Sequence, residues 1–307
     1  MPNNLPERFT TISSYHQALG LSKPEHPLIS VIDMSQIKRE EGFEQISLVF
    51  DFYLITIIKA FDVTFRYGQL PYDFDQGIVA FMAPNQVLGI DFNTEEDSRP
   101  SGWILCIHPD FLWNTPLARI IRKYEYFKYY VNEALHISEK EEAILMGIIK
   151  GIEQEYHLSI DKFSQDIIIS QLEVFLNYSE RFYQRQFITR KITNHKTLVN
   201  LEEILEAHFR NDMLVNKGIP TVKYIADQLH VSPDYLSKLL KTLTGKNVKE
   251  HIQEKVIEKA KEKLSTTHLS VSEIAFLLGF EHSQSFSKLF KNKTNFSPME
   301  FRASFNS

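Results

Sequence analysis

The spacing of apolar residues along this chain changes character twice. Residues 1–25 are largely polar and are interrupted by prolines and a glycine, which is typical of an arm with little structure of its own. From Ser30 to Pro109, short segments rich in Val, Ile, Phe and Tyr alternate with turn residues. This alternation predicts a β sandwich or barrel. The predicted strands are 47–50, 53–58, 63–67, 78–82, 87–92 and 102–108.

From Ser138 the apolar spacing becomes helical. Ser138 and Glu141 have the spacing of a capping box, and an apolar stripe follows them. A second amphipathic helix is predicted from Asp161 to Gln186, after a short turn at 157–160. Two such helices can form an antiparallel pair, which either dimerises or only covers the sheet.

The carboxyl-terminal third contains a weak internal repeat. Four residues between Val222 and Leu229 recur 49 residues later, and five residues between Ser237 and Thr244 recur 50 residues later. Each copy predicts a helix, a tight turn and a second helix. This arrangement is a helix-turn-helix unit, whose second helix can enter the major groove of DNA.

The residues at the helix ends support this interpretation. Thr221 and Ser270 can each cap the first helix of a copy, and Ser232–Pro233 can start the next helix of the first copy. Gly279 stands where the second copy needs a left-handed turn residue. His230 stands there in the first copy, and histidine is enriched at positive φ among the non-glycine residues.

The outward faces of the second helices, predicted at 233–242 and 283–292, have matching polarity. Short polar side chains and an amide at the amino end, with lysines a turn later, suit base edges followed by phosphates. A single lysine would more simply belong to a solvated face, but the repetition favours DNA contact. The predicted DNA-contacting residues are Asp234, Ser237, Lys238, Lys241, Ser283, Gln284, Ser287, Lys288 and Lys291.

A long helix is predicted between the two copies, at 248–264. At 1.5 Å per residue it spans roughly 25 Å, and the flanking units extend this to about one turn of DNA. The two second helices could therefore enter successive major grooves. We expect such binding to bend the DNA or to require a flexible site.

Composition and charge agree with a DNA-binding tail behind an acidic body. Residues 190–307 carry 18 Lys and Arg against 13 Asp and Glu, whereas residues 1–189 carry 16 against 26. The basic stretch 187–196 is interpreted as a linker. The sequence shows neither a secretory signal nor an apolar run of membrane-spanning length, and Cys106 is the single cysteine. We expect a cytoplasmic protein with no membrane partner.

Three segments are similar to the carboxyl-terminal signature of the AraC/XylS transcription regulators. They carry an Ile-Ala pair with Gly-Phe, a Phe-Ser-basic-x-Phe-Lys block, and Ser-Pro followed by an aromatic-Arg pair. The segments are 269–280, 285–291 and 297–302, and 256–264 resembles the linker helix of that family. Asn295 departs from the usual glycine and Lys255 from a frequent arginine.

The resemblance implies base contacts from the outward positions of both recognition helices, and activation through contact with RNA polymerase. It also implies, less specifically, an amino-terminal cupin-like barrel that binds a small effector and two helices that form a homodimer. We expect an α+β fold with three parts. These are a regulatory and dimerisation domain at 1–186, a linker at 187–196 and a two-unit DNA-binding domain at 197–307.

Enzymatic motifs are missing from the sequence. Cupin enzymes hold a metal through two histidines one residue apart, and no such pair occurs. Neither G-x-S-x-G nor a glycine-rich phosphate loop is present. We therefore predict a protein that is not an enzyme, with no metal and no cofactor.

Two questions stay open at the level of sequence. The aromatic residues of the β region suit either an ordinary core or an apolar effector pocket. The leading hypothesis is a regulator of double-stranded DNA targets controlled by a small effector, and the alternative is a constitutive regulator whose barrel only dimerises. The aromatic residues are Phe50, Phe52, Tyr53, Phe61, Phe65, Tyr67, Tyr72, Phe74 and Phe81.

Overall fold

A computed structural model describes residues 6–37, 45–58, 77–91, 101–130, 133–158, 161, 163–210, 214 and 218–304. The chain divides into two compact units, Met1–Gln186 and Phe187–Ser307. The first unit combines sheets with helices, and the described part of the second is helical, so the α+β class is confirmed. The predicted strand 63–67 and Phe61, Phe65, Tyr67, Tyr72 and Phe74 lie outside the described residues.

The strands of the first unit form two sheets. Strand β1 pairs in parallel with β3, which pairs antiparallel with β6. A five-stranded antiparallel sheet has the order β2-β7-β4-β5-β8. Among the described residues this pairing closes no ring of strands, so the cupin-like barrel stays a prediction. The strands are β1 Glu7–Phe9, β2 Ile29–Asp33, β3 Gln45–Phe50, β4 Tyr53–Ile58, β5 Ile78–Met82, β6 Val87–Asp91, β7 Gly102–Ile107 and β8 Leu135–His136.

The arm is more ordered than its composition predicts. Helix α1, Ile12–Ala18, begins after Thr11, whose hydroxyl accepts a hydrogen bond from the Ser14 backbone N–H. The ring centroid of Tyr15 lies 5.1 Å from that of Phe50 on β3. The expectation of little structure is wrong for residues 6–25, because apolar side chains here are buried by contacts with distant strands.

Buried side chains fill the space between the two sheets. The cluster includes Phe50 and Phe52, which are 1% and 0% exposed, together with Leu54, Met82 and Cys106. Burial raises the pKa of the Cys106 thiol. The described aromatic residues of this region are therefore core residues, and Cys106 is a small apolar neighbour within that core.

Two long helices, α3 Glu139–Tyr156 and α4 Ser164–Thr189, complete the first unit after the short helix α2, Leu117–Ile120. The predicted capping box is present, since Ser138 and Glu141 bond each other's backbone N–H groups. Helix α4 packs on the face of the five-stranded sheet that carries Phe81 of β5, whose ring lies 6.4 Å from that of Phe175. Helices therefore cover one face of this sheet.

The described part of the second unit consists mainly of helices, and the first of them begins inside the predicted linker 187–196. They are α5 Lys191–Arg210, α6 Val222–Gln228, α7 Pro233–Thr244, α8 Val248–Thr266, α9 Val271–Leu277, α10 Ser283–Thr294 and α11 Pro298–Ala303. The segment 187–196 is helical except at Arg190, where α4 and α5 meet. The Asn194 side chain donates a hydrogen bond to the Phe187 carbonyl across this junction. The apolar periodicity of this segment is weak, so the sequence did not reveal that it is helical.

Candidate nucleic-acid interface

The first helix-turn-helix unit consists of α6 and α7. The Thr221 hydroxyl accepts a hydrogen bond from the Tyr224 N–H at 3.1 Å and caps α6. Ser232 caps α7 in the same way, through the Tyr235 N–H at 3.2 Å. His230 in the intervening turn has φ +56°, so the left-handed residue lies where the sequence predicted it.

The second unit, α9 and α10, repeats this construction, except that His282 gives α10 no side-chain cap. Ser270 and Glu273 form a capping box at the start of α9. Gly279 has φ +81° and takes the place that His230 occupies in the first unit. Helices α6 and α9 start 49 residues apart and helices α7 and α10 start 50 residues apart, which confirms the two offsets of the repeat.

The turns of the two units also share their backbone hydrogen bonds. The Val231 N–H donates to the Ala226 carbonyl, and the Phe280 N–H donates to the Ala275 carbonyl, both at 3.0 Å. This bond to the carbonyl five residues earlier is the signature of a Schellman turn. Two segments with different turn residues therefore adopt one conformation.

The repeat continues past the second helix of each unit, which sequence reasoning missed. Gly245 and Asn295, with φ +76° and +65°, end α7 and α10 in left-handed conformations. Capping boxes that begin with Asn247 and Ser297 then start α8 and α11. The available signal was Thr-Gly-Lys-Asn at 244–247 against Thr-Asn-Phe-Ser at 294–297. The start of the long helix is thus the counterpart of α11.

The recognition helices α7 and α10 bury one face and expose the other. Leu236, Leu239 and Leu240 are at most 1% exposed, as are Phe286 and Phe290. All nine predicted DNA-contacting residues lie on accessible parts of these helices. Exposed residues are Lys241, Gln284, Lys288 and Lys291, and half-buried residues are Asp234, Ser237, Lys238, Ser283 and Ser287.

One position distinguishes the two recognition faces. Tyr235 of α7 packs edge-to-face on Phe187, with their ring centroids 5.2 Å apart. The counterpart in α10 is the exposed Ser285. The amino end of α7 is therefore partly occupied within the second unit, whereas that of α10 is more open.

An ion-pair cluster between α5 and α8 takes up the charge of two lysines, Lys255 and Lys259. Glu206 of α5 lies 2.6 Å from the Lys255 ammonium and 3.3 Å from that of Lys259, both on α8. Hydrogen bonds from Lys255, Arg210 and Lys259 lower the pKa of Glu206 to about 2. These two lysines therefore tie α8 to α5, while Lys241, Lys288 and Lys291 remain exposed on the recognition helices.

The closing aromatic-Arg pair also has a structural role. The Phe301 ring packs edge-to-face on Phe290, with centroids 5.4 Å apart. The Arg302 Nε–H donates to the Leu264 carbonyl at 3.3 Å, near the end of α8. Helix α11 thus closes the second unit against the long helix.

The described part of the chain lacks two features that are typical of other functional classes. No group of three or more His, Cys, Asp and Glu side chains lies in an arrangement able to hold a metal ion. None of the described helices combines the length and the apolar character needed to cross a membrane.

Comparison with known proteins gives a match centred on this surface. Residues 225–304 match the family described as "Helix-turn-helix domain". YfiF of Bacillus subtilis, an uncharacterised HTH-type transcriptional regulator, is 31% identical over 144 residues, which are 47% of this chain and 42% of the relative. An uncharacterised HTH-type regulator of Pseudoalteromonas carrageenovora, encoded in the cgkA 5' region, is 34% identical over 114 residues, which are 37% of this chain and 63% of the relative.

A third relative has a named role. The Msm operon regulatory protein of Streptococcus mutans is 32% identical over 108 residues, which are 35% of this chain and 36% of the relative. The chain thus covers less than two thirds of the length of each of these three relatives.

Proposed function

We propose that the whole chain is a sequence-specific DNA-binding transcription regulator of the AraC/XylS type, on the basis of the helix-turn-helix match at residues 225–304 and the similarity to HTH-type transcriptional regulators. The observation that carries the proposal is the duplicated unit, in which two accessible recognition helices follow equivalent turns, end in left-handed residues and bury one face. The outward faces of α7 and α10 lie within the basic segment 190–307. Two such faces suit double-stranded DNA, whose major groove repeats with every helical turn.

We assign different roles to the two ends of each recognition helix. In α10, Ser283, Gln284, Ser287 and Lys288 contact base edges, while Lys291 follows and contacts phosphates. In α7, Asp234, Ser237 and Lys238 read the adjacent groove and Lys241 contacts its backbone. The amide of Gln284 is suited to adenine, because it can donate and accept at the same base edge.

The first unit supplies the regulation in this proposal. It has its own core, and the α3–α4 pair presents several apolar side chains to solvent, which supports homodimerisation through this pair. The cupin-like barrel and a small effector bound within it follow from the family resemblance, as does activation through RNA polymerase. Exposed apolar residues on these helices or immediately before α4 include Ile144, Phe163, Ile167 and Val174, at 39%, 55%, 42% and 46%.

The experiment that tests the function is genome-wide footprinting followed by binding assays on the recovered sites. The expected result is a shared sequence with two half-sites about one DNA turn apart. Equal affinity for recovered sites and random DNA would overturn sequence-specific binding. Thermal shift with metabolites suggested by the neighbouring genes then separates effector control from constitutive binding, since a ligand of the folded state raises its melting temperature.

A further inference from the structure

The turn of the second helix-turn-helix unit lies against the backbone of an earlier segment, at Gly218 and Ile219. The turns of both units require positive φ, and the first accommodates the side chain of His230. A Cβ atom placed on Gly279, however, would lie 3.0 Å from the Cα and carbonyl carbon of Gly218 and from the Ile219 nitrogen. The glycine at 279 is therefore required by a close backbone approach as well as by its own conformation.

Gly218 is joined directly to the first unit, because it lies three residues before Thr221, the cap of α6. It is itself left-handed, with φ +71°, and its N–H donates to the Leu214 carbonyl at 2.9 Å. The Gly279 turn begins α10, the second recognition helix. The contact thus connects the entry of one unit with the turn of the other.

His208 of α5 supports this contact from the interior. It is 2% exposed, and its Nε2 lies 3.0 Å from the Gly218 carbonyl oxygen. A carbonyl accepts only, so Nε2 carries the proton and donates. Nδ1 is then a buried acceptor, and it has no hydrogen-bond partner among the described residues. Burying such an atom costs stability, which indicates that this ring position serves the bond to Gly218.

We propose that the Gly218–Gly279 contact, held by His208, fixes the position of the second recognition helix relative to the first and so sets the half-site spacing that the protein accepts. This inference rests on the proposed DNA-binding function. His208 acts as a positioning residue, because it reaches the DNA-reading helices only through Gly218.

In this proposal the Gly218–Gly279 contact is what makes the half-site spacing strict. The long helix α8 links the units and shares one buried core with both. The glycine contact lies outside α8 and adds a close backbone contact between the entry of the first unit and the turn of the second. Adding or removing one base pair moves a half-site by about 3.4 Å and rotates it by roughly 35° about the DNA axis. A fixed pair of recognition helices cannot follow this change.

The experiment compares two matched variants of the full chain, Gly279→Asn and Gly245→Asn. The two glycines have φ +81° and +76°, and asparagine already occupies the equivalent of Gly245 in the second unit, at Asn295. A Cβ at Gly245 meets nothing within 4 Å. Binding is measured on sites with the recovered spacing, with one base pair more or fewer, and with the second half-site scrambled.

We expect the unaltered chain and Gly245→Asn to prefer the recovered spacing by about tenfold or more. Gly279→Asn is expected to reduce that preference to less than about threefold, with unchanged affinity for the DNA whose second half-site is scrambled. A Gly279→Asn variant that keeps the tenfold preference would overturn the inference.

A second pair of variants covers the case in which Gly279→Asn does not fold. His208→Gln retains an N–H that can donate to the Gly218 carbonyl, whereas His208→Leu does not. We expect the glutamine variant to keep the spacing preference and the leucine variant to lose it, and equal preferences in the two would overturn the inference. Failure of the unaltered chain to select any sequence would instead remove the proposed function.

Discussion

The ammonium of Lys255 lies 2.6 Å from a carboxylate oxygen of Glu206 and joins the long helix α8 to α5. The Glu206 side chain is 28% exposed and also pairs with Arg210 and Lys259. Lys255 therefore holds two helices of the second unit together through its compact ammonium charge.

This pairing predicts a pH-dependent contribution to stability. The pKa of Glu206 is lowered from 4.5 to about 2, so the carboxylate stabilises the folded state fully above pH 4.5 and loses this effect as the pH falls towards 2. Urea unfolding between these pH values should show a smaller decline for Glu206→Gln than for the unaltered chain. The exposed Glu203→Gln in the same helix is the control, and an unchanged slope in Glu206→Gln would contradict the prediction.

The division of roles within α10 is tested by two substitutions. Gln284→Ala should relax sequence preference, because the proposed function places its amide on a base, at a cost of about 1–3 kcal/mol on the preferred site. Lys291→Ala should weaken binding to all sequences alike and reduce the salt dependence by about one phosphate contact. Binding to specific and random DNA over a salt series measures both. An equal loss on the two DNAs for both variants would show that the groove assignment is wrong.

The core of the second unit predicts unequal effects for the same substitution at two phenylalanines. Phe286 is 0% exposed and packs 5.8 Å from Phe290 between ring centroids, whereas Phe276 is 61% exposed. Phe286→Ala should lower the free energy of unfolding by about 3–5 kcal/mol. Phe276→Ala should change it by less than about 0.5 kcal/mol. Denaturant unfolding of the two variants provides the measurement, and similar values for both would contradict this core.

Homodimerisation through the α3–α4 pair is tested with two valines. Val174 on α4 is 46% exposed and Val87 on β6 is 62% exposed, so a glutamate at either position should leave the monomer folded. Val174→Glu should shift the population towards monomer in analytical ultracentrifugation, because dimerisation would bury the new charge. Val87→Glu should behave as the unaltered chain. Dimerisation that survives Val174→Glu would exclude this part of α4 from the interface.

The secondary structure of the second unit was largely predictable from local patterns. Pro233 and Ser283 start the two recognition helices, and α8 begins at Val248, as predicted. The recognition helices extend two residues beyond their predicted ends at 242 and 292, to Thr244 and Thr294. Helix ends are less predictable because the left-handed residues that stop them, Gly245 and Asn295, differ in type.

The first unit was less predictable. Strands β4 and β5 have the predicted bounds. The alternation of apolar and polar residues did not predict β2 or the elements of the arm, β1 and α1. In β2 a nearly continuous apolar run, Ile29–Ile32, is buried on both faces, and such a run shows no period of two. The arm is ordered by Phe9, Ile12 and Tyr15, which gain their burial only from distant strands.

The sequence by itself predicted the repeated pattern of helix, turn and helix and the residues that face outward, because helix caps, left-handed turns and apolar periodicity depend on residues a few positions apart. Only the tertiary structure showed that Gly279 lies against Gly218, and that Glu206 holds Lys255. These contacts join residues 61 and 49 positions apart, and no local pattern encodes such a pairing. Packing around the long helix decides which distant side chains meet, and thereby how the two recognition helices are held.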